Sequence, residues 1–406
     1  MALLPVKDAL ARILEGADTT AIEPVPLIEA HRRTLAAPLT AKFTQPPFDV
    51  SSMDGYAIAA ADVGAGPQDL ELIGQSAAGR RFAGTISAGQ CVRIFTGAVI
   101  PEGAGAVVIQ EDTEVRGSTI RVLTATTARE NIRNRGGDFH EGETLLDAGR
   151  LLDARAITLA AAMGHATVPC RRRPRVAILA TGDELVMPGE TPGPDAIVCS
   201  NSFGLAALVE AAGGLPLVLG IARDNHAALA EKFAAANKAD ILVTTGGASV
   251  GDHDLVAPAL QKAGMTLAFW KIAMRPGKPL MFGTRDTPDV RGQRVLGLPG
   301  NPVSALICGR LFLVPLVRQM LGQIAEAKIL ETALLTVPLP ANGPRAHYMR
   351  AMLEAESGTP PRVTPVASQD SSLMAPLANA TCLIVRDVDA PAIPAGTSVP
   401  IMRIDF

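Results

Sequence analysis

The feature that most restricts the fold lies between residues 174 and about 322. Short apolar runs there, "RVAILATGDEL", "PLVLGIARD", "ADILVTTGG" and "RVLGLPG", each end in Gly or a polar residue. Stretches with helical patterning, 202–212, 226–237 and 255–263, separate most of them. Continuously apolar strands are covered on both faces, which predicts a parallel sheet between two layers of helices. The right-handed crossover rule then favours a doubly wound α/β domain.

With 406 residues the chain exceeds a single core and should form several domains. Residues 1–42 read as largely helical, with Ala9, Leu10, Ile13 and Leu14 on one face. From 43 to 145 short alternating segments broken by Gly and Pro predict a β-rich domain. Helical patterning returns at 151–164, so residues 146–173 are expected to rejoin 1–42 as a helical linker domain with the β-rich unit inserted between them. The α/β unit then covers 174–324, and the proline-rich strands of 325–406 predict a small C-terminal β-barrel.

A net charge of −3 gives no general attraction to nucleic acid or anionic lipid. The densest basic run, Arg171-Arg172-Arg173, reads as a solvated linker. The five cysteines are scattered without a CxxC pair, which predicts neither a zinc knuckle nor a disulfide framework and fits a reducing compartment. No uninterrupted apolar run of about 18 residues occurs. A cytoplasmic protein without a membrane span is expected.

Ligands of open parallel sheets bind beyond the carboxyl ends of the strands. At those ends lie Thr181, Gly182, Asp183 and Glu184; then Gly246, Gly247, Ser249, Gly251, Asp252 and Asp254; then Pro299, Gly300, Asn301, Pro302 and Ser304. Paired glycines admit backbone N–H groups close to an anion. Asn301 can cap a helix whose first residue is Pro302, which makes a phosphate or oxyanion site. Each loop alone is an ordinary turn; three in one sheet make a case. Carboxylates beside such loops (Asp183, Glu184, Asp224, Asp252, Asp254) suggest bridging Mg²⁺, unless they are caps or solvated acids. Lys271, Arg275 and Lys278 flank a Pro-Gly turn and can either clamp anionic oxygens or sit free on a hairpin. In the β-rich region Asp54-Gly55 reads first as a hairpin turn, with Ser51, Ser52 and Asp54 as alternative oxygen ligands. Thr96-Gly97, and Arg133 and Arg135 before Asp138, offer further turns or an anion site. None of the six histidines has metal-ligand spacing, and P-loop, Rossmann and hydrolase signatures are absent.

The segments "PPFDVSSMDGYAI", "RIFTGA", "ENIRNRGGDF", "ATGDEL", "TTGGASVGDHD", "RPGKPLMFG" and "LPGNPVSAL" occur in this order along essentially the whole chain. In that set and order the chain resembles the molybdopterin molybdenumtransferases, the MoeA family, to which the E domain of gephyrin belongs. The resemblance implies the four-part fold above and a homodimer whose active site is shared between the α/β domain of one subunit and the insert of the other. It implies insertion of molybdenum from molybdate into adenylylated molybdopterin, with Mg²⁺-dependent release of AMP. By motif, Asp54, Thr96 and Asp138 would act from the insert, and Glu184, Asp224 and Asp254 would hold Mg²⁺ and phosphates. Lys271, Arg275 and Lys278 would bind anionic oxygens, and Pro299 and Pro302 would shape the oxyanion pocket, with Ser304 on the following helix. Three positions depart from the commonest pattern: Gly137 for Glu, Arg275 for Lys and Ala248 for Val. A non-catalytic scaffold would have lost the motif acids, and a nucleotidyl transferase acting on molybdopterin would lack the insert and barrel.

Overall fold

The computed structural model describes residues 3–246, 255–323, 330–355 and 357–404. At its centre is a six-stranded sheet in the order Leu215–Ala222, Arg175–Thr181, Ile241–Thr245, Gln293–Leu298, Met281–Arg285, Thr266–Trp270. The first four strands are mutually parallel, Met281–Arg285 runs against them, and Thr266–Trp270 pairs antiparallel with it at the edge. The antiparallel edge was not expected. It arises because the segment joining Thr266–Trp270 to Met281–Arg285 contains no crossover helix, and only a helix-length connection returns a strand in parallel.

Alternate residues of the central strands enter two cores. Val176, Ile178, Ile241, Val243 and Leu296 pack with Leu205, Leu208, Val303 and Ile307 on one face. Ala177, Leu179, Leu242 and Val295 pack with Leu229, Phe233, Val256 and Leu260 on the other. Both faces are covered, as double winding requires. The first core also takes in the continuous helix Pro302–Met320, which has a mean hydropathy of 1.4 over an 18-residue window. That is apolar enough to cross a membrane by composition, but 78% of the window is buried in the domain.

Residues 15–42 hold no α-helix, only the single 3-10 turn Leu27–Glu29. After the helix Val6–Leu14 comes the strand Ile22–Pro26, antiparallel to Thr167–Arg171, and then short extended segments. Pro24, Pro26 and Pro38 deny helical N–H donors there, which favours extended backbone. The helix itself packs on the α/β domain, where Ala9 and Ile13 join the first core. Leu35, Leu39, Leu146, Leu152, Ala156 and Ala160 close a separate small core that spans the start and the end of the inserted region.

The triple arginine is not a solvated linker. Arg172 grips Asp240 through two hydrogen bonds of 3.0 and 2.8 Å, and Asp240 also accepts from the Arg175 backbone N–H. Arg171 donates to the Thr20 carbonyl, and Arg173 to the Gly213 carbonyl. The run therefore stitches the linker region onto the α/β domain. Charge patterning missed it because the acceptors, Asp240 above all, are distant in sequence.

The inserted region holds a six-stranded, mostly antiparallel sheet. The C-terminal region is a five-stranded barrel closed by pairing of Ala346–Glu354 with Cys382–Arg386. Met274–Arg275 from the α/β domain extends the barrel sheet alongside Ala346–His347.

Candidate active site

The ends of the three neighbouring strands Arg175–Thr181, Ile241–Thr245 and Gln293–Leu298 open onto a cavity of about 680 Å³. The α/β domain lines it with Glu184, Gly246, Arg275, Lys278, Pro299, Gly300, Asn301 and Ser304. The barrel adds Arg345, Gln369, Asp370 and Ser371. Gly246 has φ +89°, and a Cβ there would lie 2.5 Å from the Thr181 carbonyl oxygen, so no other residue fits this turn. Arg275 and Lys278 are exposed in the cavity, flanking Gly277. Among the described residues neither side chain has a hydrogen-bond or ion-pair partner, so each can turn its cationic head to a ligand oxygen.

Asn301 stands at the N-cap position with Pro302 at N1, but its side chain does not cap the helix. Its amide donates to Ser371 Oγ at 3.0 Å, while the Val303 N–H donates to the Ser371 carbonyl. The barrel loop thereby occupies part of the helix end. Asn201 donates to the Gly300 carbonyl at 2.7 Å and sets the turn before the helix.

Asp183, Glu184 and Asp224 form an acidic edge. The Asp224 N–H donates to Asp183 at 3.1 Å, and Arg223 holds the Asp183 carbonyl at 2.7 Å. Burial, and then the neighbouring Asp183 and Glu184 charges, push the Asp224 carboxyl above its ordinary value. Surplus negative charge of this kind would suit a divalent cation, which the Glu184 and Asp224 carboxylates could help to hold. Among the described residues no group of three His, Cys, Asp or Glu is placed to hold a metal by itself. Gly247, Ser249 and Asp254 lie outside the described residues.

Other expected site residues stand apart from the cavity wall. Thr181 is buried within its strand, with its hydroxyl donating to the Thr245 carbonyl. Gly182 lies beneath the Glu184 carboxylate, which a Cβ would meet at 2.3 Å. Lys271, at φ +77°, closes the backbone turn by donating to the Leu280 carbonyl. Pro302 serves as the first residue of its helix.

In the insert, Asp54-Gly55 is not a hairpin turn. Val50–Ser51 pairs with Ile132–Arg133, whereas Gly55–Ala59 pairs with Gln90–Ile94 and Ala104–Ile109. Gly55 is required instead by close strand approach, since a Cβ would sit 1.9 Å from the Val108 carbonyl oxygen. The Asp54 carboxylate accepts from both the N–H and the hydroxyl of Thr96 at 2.8 Å, and these bonds hold it below the usual carboxylate range. Ser51 is buried and donates to the Met53 carbonyl, so it serves the turn and no ligand. Asp49 accepts from the Arg129 side chain and the Arg135 N–H, which shapes the loop leading to exposed Asp138. Asp54, Thr96 and the 129–138 loop thus gather on one face of the insert, but no insert residue lines the cavity.

Sequence reasoning missed the barrel's share. The only signal was "SQDSS" at 368–372, a polar run among apolar strands. Nearby, His347 is buried among Arg275, Arg345, Arg386 and Arg350, and burial followed by these charges lowers its pKa to about 4. The folded protein thus holds a neutral imidazole while the unfolded chain takes up a proton below about pH 6.5. The resulting stability is complete above that pH and disappears as pH falls toward 4, amounting to about 3 kcal/mol. Denaturant titrations between pH 7 and 4 should show a shallower acid loss for His347→Gln than for the parent protein.

The fold and cavity define a multidomain α/β protein with a cation-lined cavity at the strand ends. Residues 4–164 match the MoeA N-terminal region (domain I and II), 177–319 a probable molybdopterin binding domain, and 332–404 the MoeA C-terminal region (domain IV). A molybdopterin molybdenumtransferase from Nostoc sp. is 36% identical over 94% of this chain and 88% of its own length. One from Haemophilus influenzae is 34% identical over 98% of both chains. The crystal structure of a molybdopterin biosynthesis MoeA protein from Pyrococcus horikoshii superposes with a TM-score of 0.85 at 28% identity, covering 100% of each chain. The chain belongs to the MoeA family.

Proposed function

We propose that this protein is a cytoplasmic molybdopterin molybdenumtransferase. It inserts molybdenum from molybdate into adenylylated molybdopterin and releases AMP. The observation that carries the reading is one cavity where three cations (Arg275, Lys278 and Arg345), a close-approach glycine, a helix start and an acidic edge converge. Cleaving a pyrophosphate demands charge neutralisation and positioning more than a protein nucleophile. Arg275 and Lys278 neutralise phosphate or molybdate oxygens, the Gly246 and Gly300 turns let the ligand approach the backbone, and Ser304 offers a hydroxyl. Mg²⁺ held by Glu184 and Asp224 would supply charge neutralisation at the pyrophosphate.

Asp54, Thr96 and Asp138 lie in a region that contributes nothing to the cavity of their own chain. A homodimer in which the insert of one subunit completes the cavity of the other accounts for their presence, and isologous pairing supplies two such sites. Lys278→Ala should raise the molybdate concentration needed for half-maximal turnover by about tenfold or more, the loss expected for one charge-assisted contact. Its thermal midpoint should stay put, because Lys278 is exposed. An unaltered molybdate dependence would remove Lys278 from the site.

A further inference from the structure

A second cavity, of about 420 Å³, runs between the helices His226–Ala235 and Val256–Lys262 and reaches the loop after the strand Met281–Arg285. It lies on the sheet face opposite Pro302–Met320. Its inner end is near the start of Gln293–Leu298, the strand whose far end forms the site above, since Arg285 pairs with Gln293. The volume falls within the range of small-molecule sites.

Its walls are small and apolar: Ala230 and Ala234 on one helix, Ala259 and Ala263 on the other, with Phe233 beside them. At the inner end sits Arg285, only 5% exposed. Its Nε donates to Gln293 Oε1 at 2.7 Å and its Nη2 to the Phe233 carbonyl at 2.9 Å, both neutral acceptors. No carboxylate pairs with it among the described residues. Nη1 makes no hydrogen bond there either. Among the described residues it is also not one of the fully buried atoms without a partner, so it reaches accessible space. Lys262 and His226 add further nitrogen donors along the groove. The one acid on the wall, Asp286, spends an oxygen on the Gly292 N–H at 2.8 Å.

Arg285 is compensated only by those two neutral acceptors and by the Phe233 ring, 5.7 Å from its guanidinium carbon, so an approaching anion would stabilise it further. We propose that this groove is a binding site for a small organic anion, a carboxylate or phosphate carried on an apolar, ring-sized body. The anionic group meets Arg285 Nη1, and the body lies along the alanine walls against Phe233. Nothing in the site above requires this groove, so the proposal stands independently of the molybdenum chemistry.

Isothermal titration of the intact protein with phenyl phosphate, benzoate and benzyl alcohol tests it. The two anions should bind saturably and the alcohol at least tenfold more weakly. Ala234→Leu, which fills the groove and leaves Arg285 in place, should weaken phenyl phosphate at least tenfold, as should Arg285→Gln if that variant folds. Lys262→Ala should weaken it severalfold. AMP release should be unchanged in Ala234→Leu. No saturable binding, equal binding of the alcohol, or affinity unchanged in Ala234→Leu would each overturn the proposal.

Discussion

Asp54→Ala is expected to lower molybdate-dependent AMP release by about 10²–10³-fold, the range for removing one group that acts on the transition state. The fold should be untouched. Asp54 is exposed, among the described residues its carboxylate hydrogen-bonds only to Thr96, and water can replace both bonds after truncation. A thermal midpoint unchanged alongside lost turnover separates chemistry from turn formation; full activity would reduce Asp54 to a structural residue. The shared-site arrangement adds a sharper outcome. Mixing Asp54→Ala subunits with Lys278→Ala subunits, at molybdate low enough that each alone runs at about a tenth of the parent rate or less, should restore about a quarter of the parent activity, because heterodimers rebuild one intact site. No recovery after verified subunit exchange would place both residues in one subunit's site.

Arg350→Met should cause the largest loss of stability. The side chain is 1% exposed and donates to the carbonyls of Leu373, Ser368 and Asp370 at 2.7, 3.0 and 2.8 Å. Its own backbone N–H and carbonyl hold the Gln369 amide. The loop that brings Gln369, Asp370 and Ser371 to the cavity thus hangs on one guanidinium. Burial lowers that group's pKa, with Asp370 opposing. Methionine keeps the volume but leaves three carbonyls without their donor, which should cost about 3–5 kcal/mol. Because Ser371 also anchors Asn301 and Val303, turnover should fall with stability. A midpoint within a degree of the parent would show that the loop is held from elsewhere.

How far each feature could be read from the chain depends on how local its cause is. Apolar runs capped by Gly and Asp belong to single strand-to-turn units, so the α/β domain and its strand-end loops were legible. Glu184, Gly246, Arg275, Lys278, Pro299, Gly300, Asn301 and Ser304 line one cavity for that reason. Asn301 was legible as the residue before Pro302, but its partner Ser371 was not, being 70 residues away. Arg172 and Asp240 failed in the same way, 68 residues apart. Residues 15–42 were misread because helical patterning at Ala9 and Ile13 was extended past prolines that forbid it. Arg345 carries no local mark, and Gln369 only its place in the polar run 368–372; barrel closure brings both to the cavity.

The measurement closest to the central claim is AMP release from adenylylated molybdopterin by the purified protein with Mg²⁺, with and without molybdate. Release should depend on molybdate, and in Lys278→Ala it should need about tenfold more molybdate. Tight binding of the pterin nucleotide with no cleavage under either condition would contradict that claim, and would make the chain a carrier or scaffold built on the same fold.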